Sequence, residues 1–194
     1  GPGVYPHRTS KELKRRDMLS AVLLQPGGWG PAEGRLDNIH IHDLDIENME
    51  NPFMFILNLG NECNHILIER VKARRIFKST ASIESWKGGS FQDIILRDID
   101  LEFCGHDEPG LKNIVAAQPH VDSRILPCWG LYVRNVKNLI LDNVKLSYTE
   151  QELRPAIYLD NVANAELNRV ECKETSATNV IVTSNSGSIK TNET

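Results

Sequence analysis

Five segments of the chain share one pattern of apolar residues, and this repeat restricts the possible folds more than any other feature of the sequence. Each segment begins with a polar residue and carries apolar residues one, three, six and eight positions later. The segments are NIHIHDLDI from Asn38, HILIERVKA from His65, DIILRDIDL from Asp93, NLILDNVKL from Asn138 and NAELNRVEC from Asn164. Their first residues lie 27, 28, 45 and 26 residues apart, so the third interval contains an insertion. A recurring unit of this length is typical of repeat architectures.

The spacing within one unit predicts β-strands. Two apolar residues alternate with polar ones, one extra residue follows, and the alternation then resumes. Alternation is typical of a strand with one buried face, and a slip of one residue requires a bend that turns the next apolar residues inward again. A second family of short apolar runs precedes most units, for example PFMFILN, WGLYVRN and RPAIYLD. Each repeat is therefore built from strands.

Strands that recur without helices between them predict a parallel β-solenoid, in which each coil stacks on the next. We expect six to seven coils over residues 20–188, with residues 104–128 as an inserted loop. Residues 1–19 are a separate extension with a possible helix at Thr9–Leu19, and residues 189–194 form a tail. A β-sandwich would fit the strand lengths, but it would not require one template to recur.

Composition and charge restrict the function classes. The chain has 22 Lys and Arg residues against 26 Asp and Glu residues, a formal net charge of -4. This balance argues against a nucleic-acid partner, which normally requires a basic face. No apolar run reaches the roughly 18–20 residues that cross a bilayer, so we expect no membrane partner.

The four cysteines lack metal-ligand spacing. Cys104 and Cys128 either form a disulfide or are small buried residues, since free cysteines are usually buried.

Stacking the five segments aligns their outward residues in columns about 4.8 Å apart. Counted from the start of each unit, the seventh following position alternates in charge along the stack, and the fourth and fifth following positions also mix charges. They contain, in chain order, Asp45, Lys72, Asp100, Lys145 and Glu171; His42, Glu69, Arg97, Asp142 and Asn168; and Asp43, Arg70, Asp98, Asn143 and Arg169. Opposite charges on adjacent strands are mildly favourable, so these groups are predicted to form ladders. His40 and His42 share a face, but no third ligand is evident, and no metal site or cofactor is predicted.

The column two positions after each start has an apolar centre, Leu67, Ile95 and Ile140, between His40 and Glu166. Apolar residues at outward positions indicate that something covers this face. The inserted loop, the N-terminal segment, upstream coils or a second copy of the chain are the candidates.

The second strand family supplies the candidate ligand site. Its outward pairs are predicted as Leu23/Gln25, Phe55/Leu57, Ser82/Glu84, Tyr132/Arg134, Tyr158/Asp160 and Ile181/Thr183. Tyr132 and Tyr158 would lie on adjacent coils, either as a platform for a sugar ring beside Arg134 or as simple exposed aromatics. Glu84 and Asp160 would lie two coils apart, roughly 9–10 Å, near the separation of about 6.5–9.5 Å in inverting glycosidases. The interposed Arg134 favours a structural ladder, because a neighbouring cation keeps both carboxylates ionised.

The run ILPCWGLYVRNVKNLILDNVKLSYTEQELRPAIYLDNV, residues 125–162, resembles the C-terminal coils of bacterial polygalacturonase-like proteins of glycoside hydrolase family 28. Leu126–Arg134 and Arg154–Ala156 carry most of this likeness. The resemblance implies a right-handed parallel β-helix, a pectin-type polysaccharide as substrate, and a secreted or periplasmic parent protein, although residues 1–17 are polar and basic and show no secretion signal.

The catalytic signatures of that family are Asn-Thr-Asp, Asp-Asp, Gly-His-Gly and Arg-Ile-Lys, and none occurs in this sequence. Gly105-His106 is followed by Asp107, and Leu23 and Gln25 stand where the resemblance would place the basic pair. We therefore expect this chain alone to be inactive, as the C-terminal portion of a hydrolase. The alternatives are a non-catalytic polysaccharide-binding β-helix and a structural or assembly module, because fold analogy does not decide function.

Overall fold

A computed structural model describes residues 20–26, 33–58, 60–119, 123–177 and 179–192. Ten parallel strands and one 3₁₀ helix, Pro109–Asn113, make up its regular structure. The strands are β1 (Val22–Leu24), β2 (Arg35–Glu47), β3 (Phe53–Leu57), β4 (Glu62–Ile76), β5 (Ala81–Ser85), β6 (Ser90–Phe103), β7 (Leu131–Tyr148), β8 (Ile157–Cys172), β9 (Ile181–Ser184) and β10 (Ser188–Asn192). In these residues no helix is long and apolar enough to cross a membrane.

The strands wind into a parallel β-solenoid of about six turns, which confirms the predicted fold class. A leading row pairs β1, β3, β5, the start of β7, the start of β8, and β9 in that order. A trailing row pairs β2, β4, β6, the rest of β7, the rest of β8, and β10. The long strands β7 and β8 thus pass through both rows, whereas the other turns divide between two strands.

Each turn bends at the residue that interrupts the alternation. The five residues at this position have positive φ, between 51° and 56°: Asp43, Arg70, Asp98, Asn143 and Arg169. This left-handed conformation is uncommon outside glycine and is tolerated best by Asn and Asp. It places one residue at a corner, so the apolar residues on both of its sides point inward. The extra residue in the sequence pattern is therefore the corner of the coil.

The interior is filled by the apolar residues of the repeat. Residues at the first and third positions of the central coils, such as Ile66, Ile68, Ile94 and Leu96, are at most 1 % exposed. The equivalent residues of the first turn, such as Ile39 and Ile41, are only half-buried. Among the described residues β2 has one neighbouring strand, β4, so its other edge is uncovered.

The inserted loop packs on the outward face of the leading row. Gln118 donates to Asn58 at 2.7 Å, Ser123 donates to Glu50, and Ser79 donates to the carbonyl of Arg124. The inserted loop was one candidate to cover the column of Leu67, Ile95 and Ile140; its described hydrogen bonds lie on the leading row, whereas that column lies on the trailing row. These three residues remain half-buried.

Two register details differ from the sequence prediction. The outward pairs of β3 and β9 are Met54/Ile56 and Val182/Ser184, which align with Ser82/Glu84 and Tyr158/Asp160, and not Phe55/Leu57 and Ile181/Thr183. β3 is buried on both faces beneath the loop, so its sequence offers no alternation to read. Residues 188–192, partly assigned to the tail, pair as β10 with Asn164–Asn168 and extend the solenoid. The predicted N-terminal helix lies outside the described residues.

Candidate functional site

The charged columns pair in the register that the sequence predicts. Asp45 aligns with Lys72, Lys72 with Asp100, Asp100 with Lys145, and Lys145 with Glu171. At the corner, the guanidinium of Arg70 binds Asp43 at 2.6 Å and holds the pKa of that carboxyl well below its usual range. Asp43 therefore has a cationic partner on the next coil. Among the described residues, the members of the column from Asp45 to Glu171 align without forming ion pairs with one another, and Asp100 binds Arg74 instead.

Three histidines extend the ladders in the first two coils. His40 Nε2 lies 2.9 Å from Glu69 Oε1, and His42 Nδ1 lies 2.6 Å from Asp43 Oδ2. His65 lies between two carboxylates of neighbouring coils, 2.7 Å from Asp37 and 3.4 Å from Asp93. In the described part of the chain, no three His, Cys, Asp or Glu side chains are arranged to hold a metal ion.

Glu84 lies at the buried end of the predicted ligand face. Its side chain is fully buried and forms a bidentate ion pair with Arg124 of the inserted loop, in which Nη1 lies 3.0 Å from Oε1. Trp86 Nε1 donates to the same carboxylate at 3.1 Å. The sequence prediction placed Arg134 beside Glu84, and the strand register confirms this alignment, but the bound guanidinium comes from Arg124. The loop that supplies Arg124 carries no repeat signal.

Asp160 and Arg134 form the second ion pair of this face. Arg134 binds Asp160 directly from the adjacent strand, and Tyr132 Oη donates to the same carboxylate at 3.3 Å. The guanidinium of Arg134 stacks over the Trp86 ring at 4.3 Å from its centroid. Both candidate carboxylates of this face are thus bound by arginine guanidinium groups.

The two tyrosines lie side by side as predicted, with ring centroids 5.9 Å apart. Tyr132 is only 1 % exposed and packs with Leu126 and Cys128 of the insertion. Its burial, together with the nearby charge of Asp160, raises the pKa of its hydroxyl. Tyr158 is half-buried. Of the predicted sugar platform, therefore, Tyr158 reaches the surface and Tyr132 does not.

All four cysteines are free thiols, so Cys104 and Cys128 form no disulfide. Burial raises the pKa of Cys63 to about 11 and that of Cys128 to about 12. The alternative prediction, small buried residues, fits Cys128, whereas Cys104 is only half-buried.

No family model matches the chain, and no match was found among the curated proteins or the solved structures. The resemblance of residues 125–162 therefore has to be assessed from what those residues do in the fold.

The residues that carry the resemblance have packing roles. A Cβ on Gly130 would lie 2.8 Å from the carbonyl oxygen of Ala156 and from Leu146 Cδ1, so only glycine fits there. Arg154 is 2 % exposed, pairs with the buried Glu152, and donates to the carbonyl of Leu126 at 2.9 Å. These contacts join the loop to the fourth and fifth coils. Gly130, Arg154 and the carbonyl of Leu126 within the likeness thus serve coil packing.

A groove lies next to the ion-paired face, where β5, β7 and β8 turn into the trailing row. It has a volume of about 420 Å³, and its lining residues are Gly88, Gly89, Ser90, Phe91, Asn135, Val136, Lys137, Asn161 and Ala163. Asn161 donates to Asn135 at 2.6 Å, and Asn135 donates to the carbonyl of Ser85 at 2.6 Å. Lys137 is exposed. The sequence prediction missed this groove, since it considered only the outward strand pairs such as Tyr132/Arg134 and Tyr158/Asp160, and none of these residues lines the groove.

Proposed function

We propose that this chain is the non-catalytic C-terminal β-helix portion of a polygalacturonase-like glycoside hydrolase that acts on pectin-type polysaccharide. The assignment as non-catalytic is supported by one observation: both candidate carboxylates are paired with arginines. Glu84 is bound by Arg124 and Asp160 by Arg134, so neither carboxylate of this face is left unpaired for catalysis. The hydrolase part rests on the likeness of residues 125–162.

The groove beside this face is the proposed polysaccharide contact. Its floor contains Gly88 and Gly89, which leave room for a sugar ring, and Asn135 and Asn161 supply amide groups that can bond to hydroxyls. Lys137 adds a cation that can pair with the carboxylate of a uronate. Among the described residues Lys137 forms no salt bridge, so its ammonium group is available. Tyr158 lies three residues before Asn161 on β8, roughly 10 Å away.

The test has a catalytic and a binding arm. The purified chain is incubated with polygalacturonate, and released reducing ends are measured; we expect none above the buffer background. Binding of oligogalacturonides is measured by calorimetry for the wild-type chain, Lys137→Ala and Lys190→Ala. Lys190 is an exposed lysine of β10 outside the groove, and it serves as the matched control.

We expect Lys137→Ala to weaken binding about tenfold, the loss of one charge-assisted hydrogen bond, and Lys190→Ala to leave it unchanged. Hydrolysis by the wild-type chain would overturn the non-catalytic assignment. Absence of binding, or equal losses in both variants, would overturn the groove assignment.

The alternative function is a structural or assembly module. The half-buried apolar column of Leu67, Ile95 and Ile140 favours it, because three successive coils place an apolar side chain on an outward face.

A further inference from the structure

A small polar cavity lies where the insertion leaves the solenoid and returns to it. The chain departs after β6, where His106 forms an isolated parallel bridge with Glu152, and it returns at Trp129, two residues before β7. The walls of the cavity include these three residues together with Thr80 and Phe103 of the third coil. The cavity therefore joins the root of the insertion to the interior of the solenoid.

The indole of Trp129 supplies an unpaired donor at this cavity. The side chain is 1 % exposed, and its ring is held by edge contacts with Phe103 and Tyr148, at centroid distances of 5.8 Å and 5.2 Å. Its Nε1 is buried and has no hydrogen-bond partner among the described residues. An indole N–H only donates, and a buried donor without an acceptor carries the full cost of its desolvation. The site therefore requires an acceptor.

The carboxylate of Glu152 is a wall group with spare acceptor capacity. Its Oε1 accepts from Arg154 Nε and from the backbone N–H groups of Leu153 and Arg154. Its Oε2 accepts only from Arg154 Nη2 among the described groups, and a carboxylate oxygen has two lone pairs. The indole thus lacks an acceptor, and Oε2 can take a further donor. A water molecule satisfies both groups, because it accepts and donates hydrogen bonds.

The size and charge of the cavity restrict what it binds. It leaves about 10 Å³ for the centre of a water-sized sphere, close to the minimum that holds a single water. A sugar ring, a phosphate or a sulfate is too large for this volume. A cation would meet the indole N–H and the guanidinium of Arg154, which is also part of the wall. The cavity therefore selects a small neutral molecule that can accept a hydrogen bond.

We propose that this cavity is a binding site for one internal water molecule, which accepts a hydrogen bond from Trp129 Nε1 and donates one to the carboxylate of Glu152. The water bridges the returning end of the insertion and the segment that enters the fifth coil. Internal waters pair buried polar groups that the protein itself leaves unpaired, and they are costly to remove. This water supplies the hydrogen bond that the packing of Trp129 between Phe103 and Tyr148 leaves unmade.

A crystal structure of the full chain tests the site directly. We expect one ordered water within about 2.6–3.2 Å of both Trp129 Nε1 and a carboxylate oxygen of Glu152. Crystals soaked in bromide should give no anomalous signal at this position, which separates a water from a bound halide. A lack of density beside Nε1, a water that reaches only one of the two groups, or a bromide signal would overturn the proposal.

Nuclear magnetic resonance tests the site in solution. The chain has three tryptophans, Trp29, Trp86 and Trp129, and Trp129→Phe assigns the indole N–H signal of Trp129 by its loss. We expect cross-relaxation between this proton and water, with the opposite signs of the laboratory-frame and rotating-frame effects that a long-lived water gives. Trp86 is the matched control, because its Nε1 already donates to Glu84 at 3.1 Å, and it should lack this signal.

Two further variants exclude a hydroxyl group as the source of the signal. Ser79 and Thr80 belong to the cavity wall, and exchange of their hydroxyl protons with solvent could imitate a bound water. The signal of Trp129 should persist in Ser79→Ala and in Thr80→Val, each of which is checked for folding by its amide spectrum. Loss of the signal in either folded variant, or its absence from the wild-type chain, would show that no water occupies the site.

Discussion

Single residues in this solenoid are constrained by the coil spacing of about 4.8 Å, and Gly130 is the sharpest case. Gly130→Ala should lower the free energy of unfolding by about 1–3 kcal/mol, because the added methyl group meets the backbone oxygen of Ala156 and the side chain of Leu146. Urea unfolding measures the change. Gly110→Ala is the control, since a Cβ at Gly110 meets nothing within 4 Å. Equal effects of the two substitutions would contradict the packing role of Gly130.

The ladder residues were predictable from the sequence, and the partner of Glu84 was not. Alternation determined which residues share a column, and the strand register confirms every step from Asp45 to Glu171. Arg124 lies in an insertion without periodicity, so no pattern connects it to a carboxylate 40 residues earlier in the chain. The burial of Tyr132 was missed for the same reason, because the residues that cover it belong to that insertion.

At the scale of the element, the corner residue defines the coil. It lets one strand bury apolar residues on two differently oriented sheet faces without a separate turn. The predominance of Asn, Asp and Arg at this position follows from the left-handed backbone and from the outward direction of the side chain. The amides also connect coils, since Asn143 donates to Asp98 at 2.6 Å.

Asn143→Val tests this role of the corner. Valine is β-branched and is strained at the φ of 56° found there, so we expect a loss of roughly 1–2 kcal/mol in the free energy of unfolding. Asn143→Gly keeps the backbone unstrained and should lose only the amide hydrogen bond, a smaller effect. Lys145→Val introduces valine at an outward position of β7 without positive φ. It should lower the free energy of unfolding by less than about 0.5 kcal/mol. If Asn143→Gly were as destabilising as Asn143→Val, the strain argument would fail.

The prediction of the elements succeeded where polar and apolar residues alternate along a strand, and it misplaced the outward pair where they do not. The repeat starts, the corner slip and the stacking of the trailing row follow from alternation with one buried face. β5 alternates although it is buried throughout its length, and its outward pair Ser82/Glu84 is confirmed, whereas the continuously apolar β3 carries no period-two signal. The outward pair of β3 was therefore displaced by one residue.

At the scale of the whole molecule, the carboxyls with a lowered pKa are concentrated in the first three described coils. They are Asp37 through its hydrogen bond with His65, Asp43 and Glu69 through hydrogen bonds with Arg70, and Asp93 through the amide of Asn138. The later coils are connected by ion pairs such as Arg134–Asp160 and Arg169–Asp142 and by asparagine pairs such as Asn164–Asn138.

This distribution predicts acid sensitivity that begins at the N-terminal coils. Because these carboxyls have a lower pKa in the folded chain, the unfolded chain binds protons first as the pH falls, and the free energy of unfolding decreases from about pH 5 downward. Urea midpoints between about pH 7 and pH 3 at constant ionic strength measure the slope.

Asp43→Asn should flatten this slope of stability against pH, since asparagine tolerates the corner backbone and cannot titrate, whereas Asp107→Asn in the inserted loop should retain the wild-type slope. Hydrogen exchange at low pH should accelerate in β2 before β8. Uniform acceleration, or equal slopes for the two variants, would show that the corner carboxylates do not anchor the first coils.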